Sequence, residues 1–354
     1  MVFTQFGGNS RVRDDIGMMN REDYWKLWRE ISSDEVETSK QDNFCILKSS
    51  SDTGTEQQTN DAFSDKWGAY QESSKKEVWY QMQKDWYLRL YGFASEEEFA
   101  DFLKSKEIIF DAGCGLGYKA AWFATLAPES LVIGIDYSEA VGIAAKNYPS
   151  HTNLLFAQGD IASTPFIEGS IDYVSCDQVI MHTQNPDETF GELVRITNQD
   201  GGEFACYFYA KKALPRELLD DHFRSACSNM SKEKLWDMSK QLTVLGKNLS
   251  DLNVSVEVPD IPALEIKGGT YDLQRFVYWN FLKCFWNEDL GNETSVVTNY
   301  DWYSPSNARR YSEEEVRGLV EANGLDVRHF HQEEACYSGR FIKRSHQAKR
   351  NECR

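Results

Sequence analysis

Three aspartates each close a short apolar run, and their spacing is the first sign of chemistry in the chain. Asp111 ends EIIFD, Asp136 ends SLVIGID, and Asp160 follows NLLFAQG. After Asp111 comes Gly113-Cys114-Gly115-Leu116-Gly117, with glycine at alternate positions and a helix expected from near Tyr118. Glycine allows a tight turn and lets a ligand approach without a Cβ in the way. The helix N-terminus beyond it offers free N–H groups. Such a turn suits a ligand with a nucleoside and a polar chain, lying at the carboxyl edge of parallel strands.

Two ligand chemistries share this geometry. Dinucleotide binders use GxGxxG, with the pyrophosphate on the helix terminus. Here the spacing is GxGxG, and Tyr118 stands where the third glycine would be. A carboxylate at Asp111, two residues before the loop, suits a ligand carrying an ammonium group and repels a pyrophosphate. On charge grounds S-adenosylmethionine is favoured over NAD. Asp136, with Tyr137 beside it, can grip both ribose hydroxyls. Asp160 can accept from the adenine amine while Ile161 donates its backbone N–H. The alternative is that the three acids are unrelated caps at strand ends.

With these residues in place, the chain resembles the class I, seven-stranded Rossmann-like S-adenosylmethionine-dependent methyltransferases, in a bacterial small-molecule form with a helical cap insert. DAGCGLG matches the family's glycine loop, GIDYS the ribose-binding strand end, and GDIASTPF the adenine-binding stretch. IDYVSCDQVIMHT followed by ELVRITNQDGG matches the fourth strand through the turn before the fifth. The resemblance is strong over residues 106–210. It departs from the pattern at Met181-His182, where members often read HH, and at Gln199-Asp200, where lysine-proline is usual. It implies S-adenosylmethionine as cofactor, S-adenosylhomocysteine as product and a small-molecule acceptor. That acceptor would be a natural-product or cell-envelope precursor. The cofactor set it implies is Trp67, Asp111, Gly113, Cys114, Gly115, Gly117, Asp136, Tyr137, Asp160, Ile161, Asp177 and Gln178. Two other readings stay open: a non-catalytic S-adenosylmethionine-binding module, and an NAD-dependent oxidoreductase.

Methyl transfer needs an aligned acceptor and, for some acceptors, a base. His182, Asp177 and Tyr303 are the catalytic candidates. His182 has an unperturbed pKa near neutrality, so it can act as base, or it can simply bond to backbone at a helix end. Asp177 can bind the cofactor's amino end, polarise the acceptor or cap a helix. The acceptor pocket is expected to be walled by His182, Tyr278, Trp302 and Tyr303, the last two on a loop bounded by Pro305. Aromatics at this spacing are also what a packed core contains. His329 and His331 alternate along a strand, and no third metal ligand accompanies them, so no metal site is expected.

The elements that must position these groups form a doubly wound α/β fold with a mostly parallel seven-stranded sheet, an N-terminal helical arm and a helical cap insert. The expected divisions are an arm and mobile loop over 1–60, a helical segment over the cofactor site at 61–105, a Rossmann-like core at 106–210, an aromatic-rich cap at 211–307, the last helix and closing strands at 308–344, and a basic tail at 345–354. In the arm, REDYWKLWREI predicts a helix with Tyr24, Leu27, Trp28 and Ile31 on one face. The polar run from Ser49 to Asp61 reads as a mobile loop. Val78, Met82, Trp86 and Leu90 predict one apolar helical stripe. In FSDKW, Lys66 or Trp67 can reach the cofactor's carboxylate or adenine; anchoring of the arm is the other reading.

Composition bounds the rest. The 354 residues are 41% hydrophobic, enough for a large core. Lys and Arg total 38 against 56 Asp and Glu, a net charge of −18, which disfavours nucleic acid and anionic membranes as partners. No stretch resembles a signal peptide or a membrane span. None of the eight cysteines forms a CxxC pair, so buried thiols in a reducing, cytoplasmic setting are expected. A homo-oligomer stays open.

Overall fold

The computed structural model describes residues 19–33, 42–47, 54–72 and 76–344. The chain opens with α1 (Arg21–Ile31) and a short strand β1 (Phe44–Ile46), then α2 (Gly54–Glu72), α3 (Lys76–Tyr91) and α4 (Glu96–Lys104). Next come β2 (Ile108–Ala112), α5 (Tyr118–Leu126), β3 (Leu131–Asp136), α6 (Ala140–Asn147), β4 (Leu154–Gln158), β5 (Tyr173–Cys176), α7 (Pro186–Ile196) and β6 (Glu203–Tyr209). A cap follows: α8 (Leu214–Cys227), α9 (Lys232–Asp251), β7 (Ser255–Val258), β8 (Gly269–Asp272), α10 (Leu273–Asn280) and α11 (Gly291–Tyr303). The fold closes with α12 (Glu313–Ala322), β9 (Leu325–Gln332) and β10 (Cys336–Lys343).

Local chemistry explains the ends of several helices. The Asn20 side chain accepts from the Glu22 and Asp23 amides, and Asp23 reaches back to the Asn20 amide; Ser312 and Glu315 repeat this arrangement at the start of α12. The inward face of α1 buries Tyr24, Trp25, Trp28 and Ile31. β2 is buried along its whole length, as a strand covered on both faces must be.

The central sheet runs β1-β4-β3-β2-β5-β6-β10-β9. Its first six strands are parallel, and β10 and β9 are antiparallel. The chain steps outward from β2 to β4, then returns to lay β5 on the other side of β2. That reversal opens a crevice at the carboxyl ends of β2 and β5, the place where open α/β sheets bind ligands.

Several expectations are corrected. The sheet has eight strands, because FCI adds to β4 as a parallel edge and buries Cys45. The polar run is no loop from Gly54 onward. It belongs to α2, whose polar side chains bond to the end of the cap: Gln58 donates to the Ser304 carbonyl and accepts from Ser306, and Thr59 accepts from the Asn307 amide. Tertiary partners override the local propensity of such a sequence. The stripe on α3 is only half internal: Leu90 is buried and Trp86 packs on the core, while Val78 and Met82 are exposed. The β7–β8 hairpin inside the cap was not foreseen. The basic tail lies outside the described residues. Among those residues no helix is long and apolar enough to cross a membrane.

Candidate active site

A cleft of about 970 Å³ opens where the crevice was expected. One wall comes from strand ends: Gly113 and Cys114 after β2, Asp136 and Tyr137 at the tip of β3, Asp160 and Ile161 after β4, Asp177 and Gln178 after β5. The opposite wall comes from the arm, with Phe63, Lys66 and Trp67 on α2 and Trp79 and Gln83 on α3. His182 and Thr183 line it as well.

The three glycines of the loop serve different ends. All have φ between +52° and +82°, which L side chains rarely adopt. A Cβ at Gly117 would come within 2.8 Å of Ala144 and Phe156, so that position allows the loop to pack on α6 and β4. A Cβ at Gly113 would strike Val179. At Gly115 it would meet the Trp67 indole at 2.8 Å, so the arm covers this glycine. Trp67 itself stands edge-on to Trp79, with ring centres 6.4 Å apart, and carries the Lys66 ammonium 4.7 Å from its ring centre. Lys66 also pairs with Asp301 of the cap at 3.0 Å, tying arm and cap together beside the cleft.

Asp136 does two jobs at the tip of β3. One oxygen accepts from the Gly115 amide at 2.7 Å and fixes the loop; the other accepts from the Ser138 amide at 2.9 Å. Burial raises its pKa, and the bonds from Ser138 and Gly115 oppose that shift. Asp160 similarly accepts from the Ala162 amide at 2.8 Å. Carboxylates at successive strand tips, flanked by a glycine loop and aromatic walls, fit a nucleoside with hydroxyls and a polar tail.

Asp111 departs from its expected place. It lies beneath the glycine loop, 1% exposed and outside the cleft lining, and neither carboxylate oxygen has a hydrogen-bond partner. Burial pushes its pKa up to about 7, against the pull of Lys119. It therefore cannot meet a ligand's ammonium directly, because the strand that carries it is covered on both faces. Lys119 was missed. It lines the cleft from the first turn of α5 and bonds to the Asp177 carboxylate at 2.6 Å and the Asp177 carbonyl at 3.2 Å. Burial works against its charge, but Asp177 and Asp111 outweigh that and raise its pKa. The signal was available: a lone lysine in YKAAWFATL, an otherwise apolar helix.

Asp177 is held by three further constraints. Tyr91 donates to it at 2.8 Å, the Gln178 amide donates at 3.2 Å, and its backbone sits at the buried end of β5. A carboxylate engaged in this way is a poor general base; its geometry is that of an anchor for Lys119. Gln178 has φ of +64°, an uncommon conformation for a residue with a side chain, and its amide is clamped to Gln83 at 2.9 Å. Strained backbone of this kind gathers at ligand sites.

His182 lies in a short turn, Ile180–His182, at the far end of the cleft. Its Nδ1 is 2.7 Å from the Asn307 carbonyl, so Nδ1 carries the proton and Nε2 is the acceptor. Phe63 and Tyr209 stand edge-on to the ring at centre distances of 4.8 and 5.4 Å. Burial pushes its pKa down to about 4, so the imidazole is neutral at physiological pH.

Tyr278, Trp302 and Tyr303 do not line this cleft. Trp302 and Tyr303 belong to the last turn of α11, a helix and not the expected loop, and both are buried in the core of the cap. The Tyr303 hydroxyl accepts from the Lys283 amide at 3.2 Å, and burial raises its pKa, so it is no proton donor to the cleft. Trp302→Ala should therefore lower stability by about 3–5 kcal/mol, the usual cost of removing a large buried ring, with S-adenosylhomocysteine affinity nearly unchanged. Denaturant unfolding measures this, and an unshifted midpoint would return Trp302 to a pocket wall. His331 pairs with Glu333 at 3.1 Å, and no cluster of three metal-ligating side chains occurs among the described residues.

The family model for the methyltransferase domain (Methyltransf_31) matches residues 103–249. An uncharacterized methyltransferase of Schizosaccharomyces pombe is 31% identical over 114 residues, covering 30% of this chain and 41% of the relative. An uncharacterized chloroplastic methyltransferase of Arabidopsis thaliana is 31% identical over 105 residues, 28% and 29% of the two chains. The malonyl-[acyl-carrier protein] O-methyltransferase of Legionella pneumophila is 32% identical over 94 residues, 26% and 33%. The chain thus spans less than half the length of these relatives. Residues 103–249, with their crossed parallel strands and glycine loop, are thus a methyltransferase domain of the class I, Rossmann-like, S-adenosylmethionine-dependent kind.

Proposed function

We propose that the protein transfers the methyl group of S-adenosylmethionine to a small-molecule acceptor and releases S-adenosylhomocysteine. One observation carries this reading: a single cleft joins the glycine loop and the strand-tip acids to a buried, neutral histidine. The first half of the cleft suits the cofactor. Asp136 and Tyr137 would hold the ribose, Asp160 and Ile161 the adenine, and the loop with Lys119, Asp177, Gln178 and Trp67 the amino-acid tail. A lysine fits the tail's carboxylate, and the carbonyl and side chain of Asp177 fit its ammonium.

The bound cofactor supplies an electrophilic methyl carbon, so no covalent enzyme nucleophile is required. This chain's residues then align the acceptor, exclude water and take a proton where one is released. His182 is placed for the last role. With Nδ1 fixed on Asn307, its Nε2 lone pair is available without any loss of a proton beforehand. A base of low pKa suits an acceptor that becomes strongly acidic only as the new bond forms, such as a hydroxyl. The walls from α2 and α3 enclose the site, which favours a compact acceptor over a folded polymer. Seven described cysteines are buried and unpaired, in keeping with a reducing, cytoplasmic setting.

The test is binding followed by turnover. Calorimetry on the full chain should give saturable binding of S-adenosylhomocysteine, and incubation with S-adenosylmethionine and pooled small acidic and phenolic acceptors should release S-adenosylhomocysteine. Absence of binding removes the cofactor reading. Binding without product from any acceptor class turns the reading into that of a cofactor-holding module.

A further inference from the structure

A second cleft adjoins the first. Thr183 lines both, and Met181, Arg224, Asn307 and Arg310 line the second. Arg224, on α8, is 7% exposed, and only one of its nitrogens is used: Nη1 donates to the carbonyls of Trp302 at 2.7 Å and Pro305 at 2.9 Å. Its Nε and Nη2 are buried and have no acceptor. The Asn307 Nδ2 is buried and without an acceptor too, while the carbonyl of the same residue holds His182. Each buried donor left unpaired costs free energy, more when it belongs to a charged group. Three of them on two residues bordering one cleft mark a place for an acceptor atom that the chain does not supply.

The cleft's own carboxylates, Glu217 and Asp221, are both engaged by Arg310. Arg216, Arg224 and Lys283 are buried within the cap with Lys212 part-buried beside them, and Asp220 is the buried carboxylate among them, paired with Arg216 at 2.7 Å. Burial first, and Arg216 second, push both Lys212 and Lys283 down to about 7, and burial with Arg310 lowers Arg224. Trp302 lies beneath Arg216, Arg224 and Lys283, at 5.2, 5.7 and 4.2 Å from its ring centre, which holds the cations in place. In a chain of net charge −18, a concentration of buried cations beside the reactive cleft is a local exception.

We propose that the second cleft receives an anionic group of the acceptor, a carboxylate or a phosphate, on the free donors of Arg224 and Asn307. This rests on the methyl-transfer reading and narrows its substrate class. A guanidinium with two adjacent free N–H groups matches two oxygens of either anion. Asn307, which would hold the anion, also supplies the backbone carbonyl that fixes His182, so binding the anion orders the base and aligns the rest of the acceptor toward the first cleft. Arg224 and Asn307 are positioning residues in this account.

The experiment uses the full chain labelled with ¹⁵N, at constant ionic strength, titrated separately with inorganic phosphate and with acetate. The readout is the Nε–H resonance of Arg224. At least one anion should shift it saturably, and which one does so separates a phosphate-bearing from a carboxylate-bearing acceptor. Asn307→Asp places a like charge beside the anion and keeps the backbone carbonyl for His182, so it should weaken anion binding about tenfold or more. Arg224→Lys should weaken it too, and if that variant fails to fold, Asn307→Asp still decides. No saturable shift with either anion, or equal binding by Asn307→Asp, overturns the proposal. S-adenosylhomocysteine is titrated into the same samples: if it binds while the anions do not, the anion site alone is wrong, and if it does not bind, the methyl-transfer reading fails first.

Discussion

Replacing Asp136 by alanine should weaken S-adenosylhomocysteine binding on the order of a hundredfold or more. Two charge-assisted hydrogen bonds to the ribose would be lost, each worth about 1.5–3 kcal/mol. The structure adds a second route to the same loss. Asp136 also accepts from the Gly115 amide at 2.7 Å, so its removal leaves that amide unpaired and loosens the loop. Asp136→Asn separates the two contributions, because the amide keeps the shape but cannot accept on both sides. Calorimetry measures the dissociation constants, and thermal unfolding checks that the sheet is intact. A wild-type dissociation constant in the alanine variant would remove Asp136 from the ribose site and leave it a loop anchor alone.

That the strand-tip residues share one cleft was legible in the sequence, because the parts are local. A glycine loop, a strand-tip acid and the residue beside it are set by a few consecutive positions, and the parallel sheet brings successive tips together by rule. Asp111 was misread for a reason of the same kind: its distance from the loop was right, but the facing of a residue within a strand buried on both sides is not written in spacing. Lys119 was overlooked because its meaning depends on Asp177, fifty-eight positions away and joined to it only by the fold. The cap was least legible. Trp302 and Tyr303 end a helix whose polar positions, such as Thr294, Ser295 and Asn299, are buried, so no apolar periodicity announces it. Asn299 satisfies its own burial through Thr243 and the backbone of Phe285, contacts that no local pattern reveals. The contribution of α2 was hidden in the same way, since its polar residues find partners in the segment after α11.

His182→Ala should lower turnover roughly a hundredfold to ten-thousandfold, the range general base catalysis supplies. Cofactor affinity should hold, because the groups placed for ribose and adenine are on β3 and after β4. The pH dependence follows from the geometry around the ring. Burial holds His182 at about 4, well below the ordinary histidine value of about 6.5. The neutral form is therefore the one the fold favours. Its contribution to stability is complete above about pH 6.5 and is lost as pH falls through about 4. The same protonation would block Nε2 as an acceptor, so the acidic limb that His182 imposes on kcat should fall near pH 4, and in the alanine variant that limb should vanish. Titration of the ring by NMR measures the value directly. A ring that titrates near 6.5 would mean that the Asn307 contact and the walls of Phe63 and Tyr209 open in solution. Full turnover without the ring would mean an acceptor that needs no base.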